Sequence, residues 1–142
     1  MMQFPLHVKA VAIDLDGTLL DTSGDLTHAT NHALALAGRA ALTQKQVKPM
    51  IGLGAKHMLE RGLEATGGIP ADEFKPLYRA LLHYYEANIA VETRPYPGLL
   101  TVLEKCDLWG VKYGVVTNKF ESLAVRVLSE LDLLDRVAFV IG

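Results

Sequence analysis

Two carboxylates, separated by one residue, end an apolar run near the start of this 142-residue chain. The stretch VAIDLDGTLLD (11–21) places Asp14 and Asp16 directly before Gly17. A carboxylate that closes a buried strand costs free energy unless a cation or hydrogen bonds compensate its charge. Carboxylate oxygens are ligands that Mg²⁺ prefers, and this ion keeps waters and substrate phosphate as further ligands. The pair therefore indicates a cation site better than it indicates a simple Asp-Gly turn.

A second apolar run ends in a different set of polar groups. The stretch VVTNK (115–119) closes with Thr117, Asn118 and Lys119. A threonine hydroxyl beside backbone N–H groups at a helix start can bind phosphate. The same residues can equally be an ordinary helix N-cap. Taken with the carboxylates and the metal they would hold, the phosphate-binding interpretation suggests phosphoryl transfer.

The elements that carry these residues follow from hydrophobic periodicity. Residues 8–15 are short, apolar and rich in Val and Ile, which predicts a buried strand, and 111–117 and 137–141 have the same character. Helical patterns connect them, including one over 121–134. The sequence therefore predicts an α/β fold with a parallel sheet. In such open sheets, ligands bind at the carboxyl ends of the strands, which is where both polar groups fall.

The chain divides into an α/β part and a helical part. Residues 22–92 have only helical periodicity, and RPYPG (94–98) is a Pro/Gly hinge. We expect core residues at 1–20, a helical cap over 21–93, and continued core at 94–142. Within the cap, Gly54 lets the backbone approach a substrate. Lys56 is a candidate partner for its carboxylate or phosphate, although an ordinary exposed lysine fits its sequence equally well.

Composition excludes several classes of partner. The formal net charge is −2 without a Lys/Arg block, which argues against nucleic acid. No apolar run reaches the ~18 residues needed to span a membrane, and the N-terminus lacks a secretory signal pattern. Cys106 is the only cysteine, which predicts a reducing compartment and a buried core thiol. These features predict a cytoplasmic protein.

The ordered motifs resemble those of one enzyme superfamily. DLDGT (14–18) and VVTNK (115–119) are similar to the first two motifs of the haloacid dehalogenase superfamily of phosphatases. The stretches GTLLDTSGDL, IGLGA and ETRPYPG resemble, more narrowly, its bacterial phosphoglycolate phosphatases. The resemblance implies a Rossmann-like parallel sheet, incomplete with three strands, and an inserted helical cap.

The resemblance also assigns roles. Asp14 would be the nucleophile that forms an aspartyl-phosphate, and Asp16 the general acid and base. The side chain of Asp14 and the backbone carbonyl of Asp16 would bind Mg²⁺, while Thr117 and Asn118 would bind the phosphoryl group. The implied partner is a small phosphorylated metabolite, best matched by 2-phosphoglycolate. A sugar-phosphate phosphatase or a phosphosugar mutase of the same fold is the alternative.

The superfamily's later motifs have no counterpart here. Its third motif is a lysine and its fourth an acidic pair, and Lys119 is too close to the second motif to be that lysine. The chain therefore resembles the N-terminal part of a phosphatase, and we expect it to be inactive alone. Its first strand should be an exposed sheet edge that promotes self-association. A non-catalytic remnant that acts through this edge is the third alternative.

Overall fold

The computed structural model describes residues 7–142. Residues 1–6 lie outside this range. They belong to the predicted core segment 1–20 and to the N-terminus for which no secretory signal pattern was expected. In chain order the strands and α-helices are β1 (Ala10–Ile13), β2 (Leu20–Asp21), α1 (Ser23–Leu36), α2 (Gln44–Val47), α3 (Ala55–Ala65), α4 (Phe74–Ala87), β3 (Arg94–Pro95), α5 (Leu99–Leu108), β4 (Lys112–Val116), α6 (Glu121–Glu130) and β5 (Val140–Ile141). Short 3₁₀ helices cover Lys48–Met50 and Leu134–Arg136.

The main sheet has the predicted parallel arrangement. Over the described residues it has three strands in the order β1-β4-β5, with Ile13 beside Val115 and Val115 beside Val140. The strands are shorter than the sequence predicts, since β1 ends before Asp14 and β5 begins at Val140 rather than 137. β1 ends because the carbonyl of Leu15 accepts hydrogen bonds from three following N–H groups, which turns the chain.

The helical segment has a hydrophobic core of its own. Helix α1 packs along α4, and α3 packs against both. Leu34, Leu59, Leu63 and Leu81 are fully buried where these helices meet. Residues 22–92, all of which the structure describes, contain no strand, as the sequence predicts. A capping box between Thr43 and Gln46 starts α2, and the helix ends at Val47, two residues before Pro49.

Two short strands pair at the point where the chain passes from the main sheet into the helical segment and later returns to the sheet. β2 and β3 pair in antiparallel fashion, with Asp21 beside Arg94. One turn into α1, the buried carboxylate of Asp25 accepts hydrogen bonds from the backbone N–H groups of Glu92 and Thr93 and from the Thr93 hydroxyl at 2.6 Å. The chain therefore enters and leaves the helical segment through one fixed crossing.

One side of the sheet is uncovered. β1 is an edge strand, as predicted, and its residues Ala10 and Ala12 are exposed. On α5 and the residue after it, Leu108 and Trp109 are 81% and 69% exposed. Cys106 is half-buried, so the prediction of a buried thiol was wrong. The reason is that α5 buries only Leu103 completely, while Cys106 packs against the border of the core and Leu100, Val102 and Leu108 face solvent.

Candidate functional site

A tight loop after β1 presents the two aspartates. Gly17 has a positive φ of 83°, and its N–H donates to the carbonyl of Leu20 at 2.9 Å. Residues with a side chain rarely adopt this conformation, so glycine permits the reversal. Leu15, between the aspartates, is fully buried and anchors the loop in the core. Leu15 is therefore buried between an exposed Asp14 and a mostly buried Asp16.

Asp14 lies at the solvent side of this loop. Its carboxylate is exposed, and Oδ1 accepts a hydrogen bond from the N–H of Leu15 at 2.8 Å. This bond fixes one oxygen without using the other. An exposed carboxylate with one oxygen held at a strand end can act as a metal ligand or as a nucleophile.

Asp16 lies in contrasting surroundings. Its side chain is only 10% exposed, and Oδ1 accepts a hydrogen bond from the Thr22 hydroxyl at 2.7 Å and forms an ion pair with Lys119 Nζ at 3.1 Å. These contacts face the helical segment. The two carboxylates are two residues apart in the sequence, but one is exposed and the other is mostly buried. The buried Leu15 between them directs them to different sides of the loop.

Lys119 is the site residue for which the sequence analysis assigned no role. Its side chain is 6% exposed, and Nζ donates a hydrogen bond to Tyr85 Oη at 2.6 Å. Burial lowers the pKa of Lys119, and the charge of Asp16 opposes that shift. Burial also raises the pKa of Tyr85 well above its ordinary value, so its hydroxyl stays protonated. The sequence did contain one indication that Lys119 belongs to the site, because Lys119 directly follows Thr117 and Asn118 at the strand end.

The other strand end carries Thr117 and Asn118 as predicted. Thr117 is 8% exposed, and its hydroxyl accepts the N–H of Lys119 at 3.1 Å. Asn118 donates from Nδ2 to the carbonyl of Gly52 at 2.9 Å, which links this strand end to the loop before α3. In the parallel pairing of β1 and β4, Ile13 lies beside Val115. Asp14 and Thr117 therefore follow the neighbouring carboxyl ends of these two strands.

A cavity of about 290 Å³ lies between the strand ends and the helical segment. Its polar lining includes Asp16, Asn118 and Lys119 on one side and Lys56 on the other, and Gly54 also lines it. A side chain at Gly54 would meet the carbonyl of Asn118 at 3.5 Å, and its φ of 92° favours glycine. Asp14 and Thr117 do not line this cavity. The structure thus brings four of the predicted residues together and leaves Asp14 and Thr117 at its border.

The oxygen donors of this region suit Mg²⁺ in kind. Asp14 has an exposed carboxylate, and backbone carbonyls of the loop adjoin it. Within residues 7–142, no group of three or more His, Cys, Asp or Glu side chains is placed to hold a metal ion. Asp14 and Asp16 are therefore the carboxylates of this loop that a metal ion could use, and they number fewer than such a group requires. In the same residue range, no helix is both long and apolar enough to cross a membrane.

Comparison with known proteins places these features in a family. Residues 11–142 match the family described as haloacid dehalogenase-like hydrolase. A phosphoglycolate phosphatase from Agrobacterium fabrum is 39% identical over 94% of this chain and 57% of its own length. The corresponding enzyme from Nitrosospira multiformis is 38% identical over 99% of this chain and 63% of its length.

A solved structure agrees in fold. The crystal structure of a predicted phosphoglycolate phosphatase from Haemophilus somnus superposes with a TM-score of 0.88 at 28% identity, over 94% of this chain and 62% of that one. The chain thus spans about three fifths of the length of these relatives. Because the family match covers nearly the whole sequence, this chain belongs to the haloacid dehalogenase-like hydrolase family.

Proposed function

We propose that this chain carries the catalytic aspartates of a cytoplasmic, Mg²⁺-dependent phosphomonoester hydrolase whose substrate is 2-phosphoglycolate. The observation that carries the proposal is the parallel pairing of β1 with β4, which sets the loop that holds Asp14 and Asp16 beside the strand end that holds Thr117 and Asn118. The names of the relatives at 38–39% identity support the substrate.

Asp14 would be the nucleophile. Its exposed carboxylate has one oxygen held by the N–H of Leu15, so the other can attack phosphorus. A bond forms between this oxygen and phosphorus while the bond from phosphorus to the substrate's ester oxygen breaks. The product on the enzyme is an aspartyl-phosphate, which divides hydrolysis into two easier steps.

Asp16 would move the protons. In its protonated form it would donate to the departing ester oxygen, and as a carboxylate it would then accept a proton from the water that attacks the aspartyl-phosphate. Its position on the cavity, where a leaving alcohol would lie, supports this assignment. Thr22 and Lys119 hold Oδ1, so neither contact uses Oδ2.

The remaining residues would bind charge. The Asp14 side chain and the Asp16 carbonyl would hold Mg²⁺, which when bound neutralises phosphate charge during the transfer. Thr117 and Asn118 would donate hydrogen bonds to the phosphoryl oxygens. Lys56, across the cavity, would pair with the substrate's carboxylate. Because the donors number fewer than a Mg²⁺ site needs, we expect this chain alone to bind the ion weakly and to turn over negligibly.

The test compares two proteins: the 142-residue chain and a version extended by the segment that its relatives carry beyond the matched region. Phosphate release is measured from 2-phosphoglycolate and from a sugar phosphate, with Mg²⁺ and with a chelator. We expect chelator-sensitive hydrolysis of 2-phosphoglycolate by the extended version. Preference for the sugar phosphate would overturn the substrate assignment, and full activity in the chelator would overturn the metal. Phosphoryl transfer between sugars without phosphate release would identify a mutase.

A further inference from the structure

A buried chain of three side chains joins the helical segment to the proposed acid–base residue. Lys119 Nζ lies 3.1 Å from Asp16 Oδ1 and donates to Tyr85 Oη at 2.6 Å, and it lies 4.2 Å from the centroid of the Tyr85 ring. Lys119 is 6% exposed and Tyr85 is 2% exposed. Such a charged group is stable in the interior only while its partners stay in place.

The three residues come from three separate parts of the fold. Asp16 lies in the loop after β1, Lys119 follows β4, and Tyr85 is in the last turn of α4. A displacement of α4 would therefore remove a hydrogen bond and a ring contact from the ammonium group. The ammonium would then keep Asp16 as its one described charged partner. To replace the lost hydrogen bond it would have to turn, and this movement would change the orientation of Asp16.

We propose that Lys119 is a positioning residue that sets the orientation of Asp16 according to the place of Tyr85 in α4. The inference rests on the proposed role of Asp16. When α4 packs as described here, Lys119 and Thr22 together fix Oδ1, and Oδ2 is free to meet the leaving oxygen. Without the Tyr85 contact Lys119 would be free to turn, and Asp16 would lose that orientation.

A second contact between α4 and the α/β part of the fold provides a control. Arg126 on α6 forms an ion pair with Glu86 on α4 at 3.1 Å, next along the helix from Tyr85. Both side chains are about half-exposed, and neither contacts Asp16. Loss of this pair removes a link to α4 without touching the buried chain. Exposed pairs of this kind contribute little to stability.

The test measures Asp16 directly and does not need activity. The chain is labelled with ¹³C at aspartate carboxyl groups, and the Asp16 resonance is assigned by its loss in Asp16→Asn. Tyr85→Phe removes one oxygen that does not itself contact Asp16, whereas Tyr84→Phe makes the same change at the adjacent residue, which stacks on His32. Lys119→Met is compared with Arg126→Met.

We expect Tyr85→Phe and Lys119→Met to shift the Asp16 resonance by more than its linewidth, and Tyr84→Phe and Arg126→Met to leave it in place. An Asp16 resonance that is unchanged in Tyr85→Phe would overturn the proposal, since the link to α4 would then not reach Asp16. Tyr85→Phe keeps the test decisive if Lys119→Met does not fold, because it leaves the buried ion pair intact.

Kinetics then separates positioning from substrate binding. In the extended, active version we expect Tyr85→Phe to lower kcat about tenfold, a part of the ~10²–10⁴ that acid–base catalysis contributes, with KM changed less than about twofold. A rise in KM at unchanged kcat would instead make Lys119 a substrate ligand and would overturn the positioning role. Full activity of Asp16→Asn would refute the proposed function. The NMR measurement does not depend on activity, so failure of the positioning role and failure of the proposed function can be distinguished.

Discussion

The two sides of the aspartate loop differ in burial and in hydrogen bonding. On the side that faces the helices, Asp16, Lys119 and Tyr85 are buried, and their polar groups are mutually bonded. On the other side, Asp14 is exposed beside an edge strand, and apolar residues of α5 face solvent. We call these the cap-facing side (the surroundings of Asp16) and the open side (Asp14, β1 and the outer face of α5).

The difference indicates which part of the chemistry this chain can support by itself. The cap-facing side already has the hydrogen bonds and the counter-charge that orient an acid–base residue. On the open side, the proposed nucleophile lacks, among residues 7–142, the further carboxylate ligands that a Mg²⁺ ion needs. A long, exposed apolar strand edge also recruits other chains. We therefore expect acid–base positioning to be intact and metal binding and turnover to be deficient.

The largest effect should come from the open side. In the active, extended version, Asp14→Asn should lower phosphate release by about 10³-fold or more, because the amide has nearly the same shape but cannot attack phosphorus. Asp135→Asn, an exposed carboxylate at the opposite end of the sheet, should leave the rate unchanged. Circular dichroism checks that both variants fold. Retained turnover in purified Asp14→Asn would remove Asp14 from the mechanism.

The next effect concerns stability on the cap-facing side. Asp25→Ala should lower the free energy of unfolding by about 2–4 kcal/mol, because it leaves the buried Thr93 hydroxyl and two backbone N–H groups without their acceptor. Glu86→Ala, which removes an exposed ion pair, should cost less than about 1 kcal/mol. Urea denaturation of both variants measures the difference. Equal losses would show that the crossing at Asp25 is not a structural anchor.

A smaller effect should appear in self-association. Trp109→Lys places a charge on the exposed apolar face of the open side and should weaken association by about tenfold, equivalent to ~1.4 kcal/mol. Leu36→Lys changes a residue of similar exposure (62%) on α1 and should have no such effect. Sedimentation equilibrium gives both dissociation constants. A wild-type chain that is monomeric at high concentration would show that the open side attracts no second copy.

The smallest effect is a pH dependence at the start of α1. Asp21 accepts hydrogen bonds from the Ser23 hydroxyl at 2.6 Å and from its N–H, and these bonds lower the pKa of Asp21 below 3.8. The group therefore stabilises the fold above about pH 4, and this contribution is lost as pH falls below 3.8. Asp21→Asn should cost about 0.5–1 kcal/mol at pH 7, and this cost should shrink as the pH falls below 3.8. An equal cost at pH 7 and below pH 3.8 would contradict this account.

The sequence was sufficient for the order of the three main-sheet strands and the long helices and for the residues at both strand ends, but it did not reveal the short strands β2 and β3. Short apolar runs predict β1 and β4, and helical apolar periodicity predicts the helices, because burial determines these patterns locally. The sequence could not reveal that Lys119 is buried against Tyr85, since 34 residues separate them and only packing of α4 onto the strand ends brings them together. The incomplete burial of Cys106 was missed for a similar reason. Periodicity shows that a helix has an apolar face but not whether anything covers it.

The central claim is that Asp14 forms a covalent bond to phosphorus, and trapping that intermediate tests it most directly. The extended version is mixed with 2-phosphoglycolate and Mg²⁺, quenched within one turnover and treated with borohydride, which reduces an aspartyl-phosphate to homoserine. Peptide mass spectrometry then reads residues 9–39. The account predicts homoserine at position 14 and none at position 16. Homoserine at position 16, or rapid phosphate release without a trapped residue at either position, would contradict it.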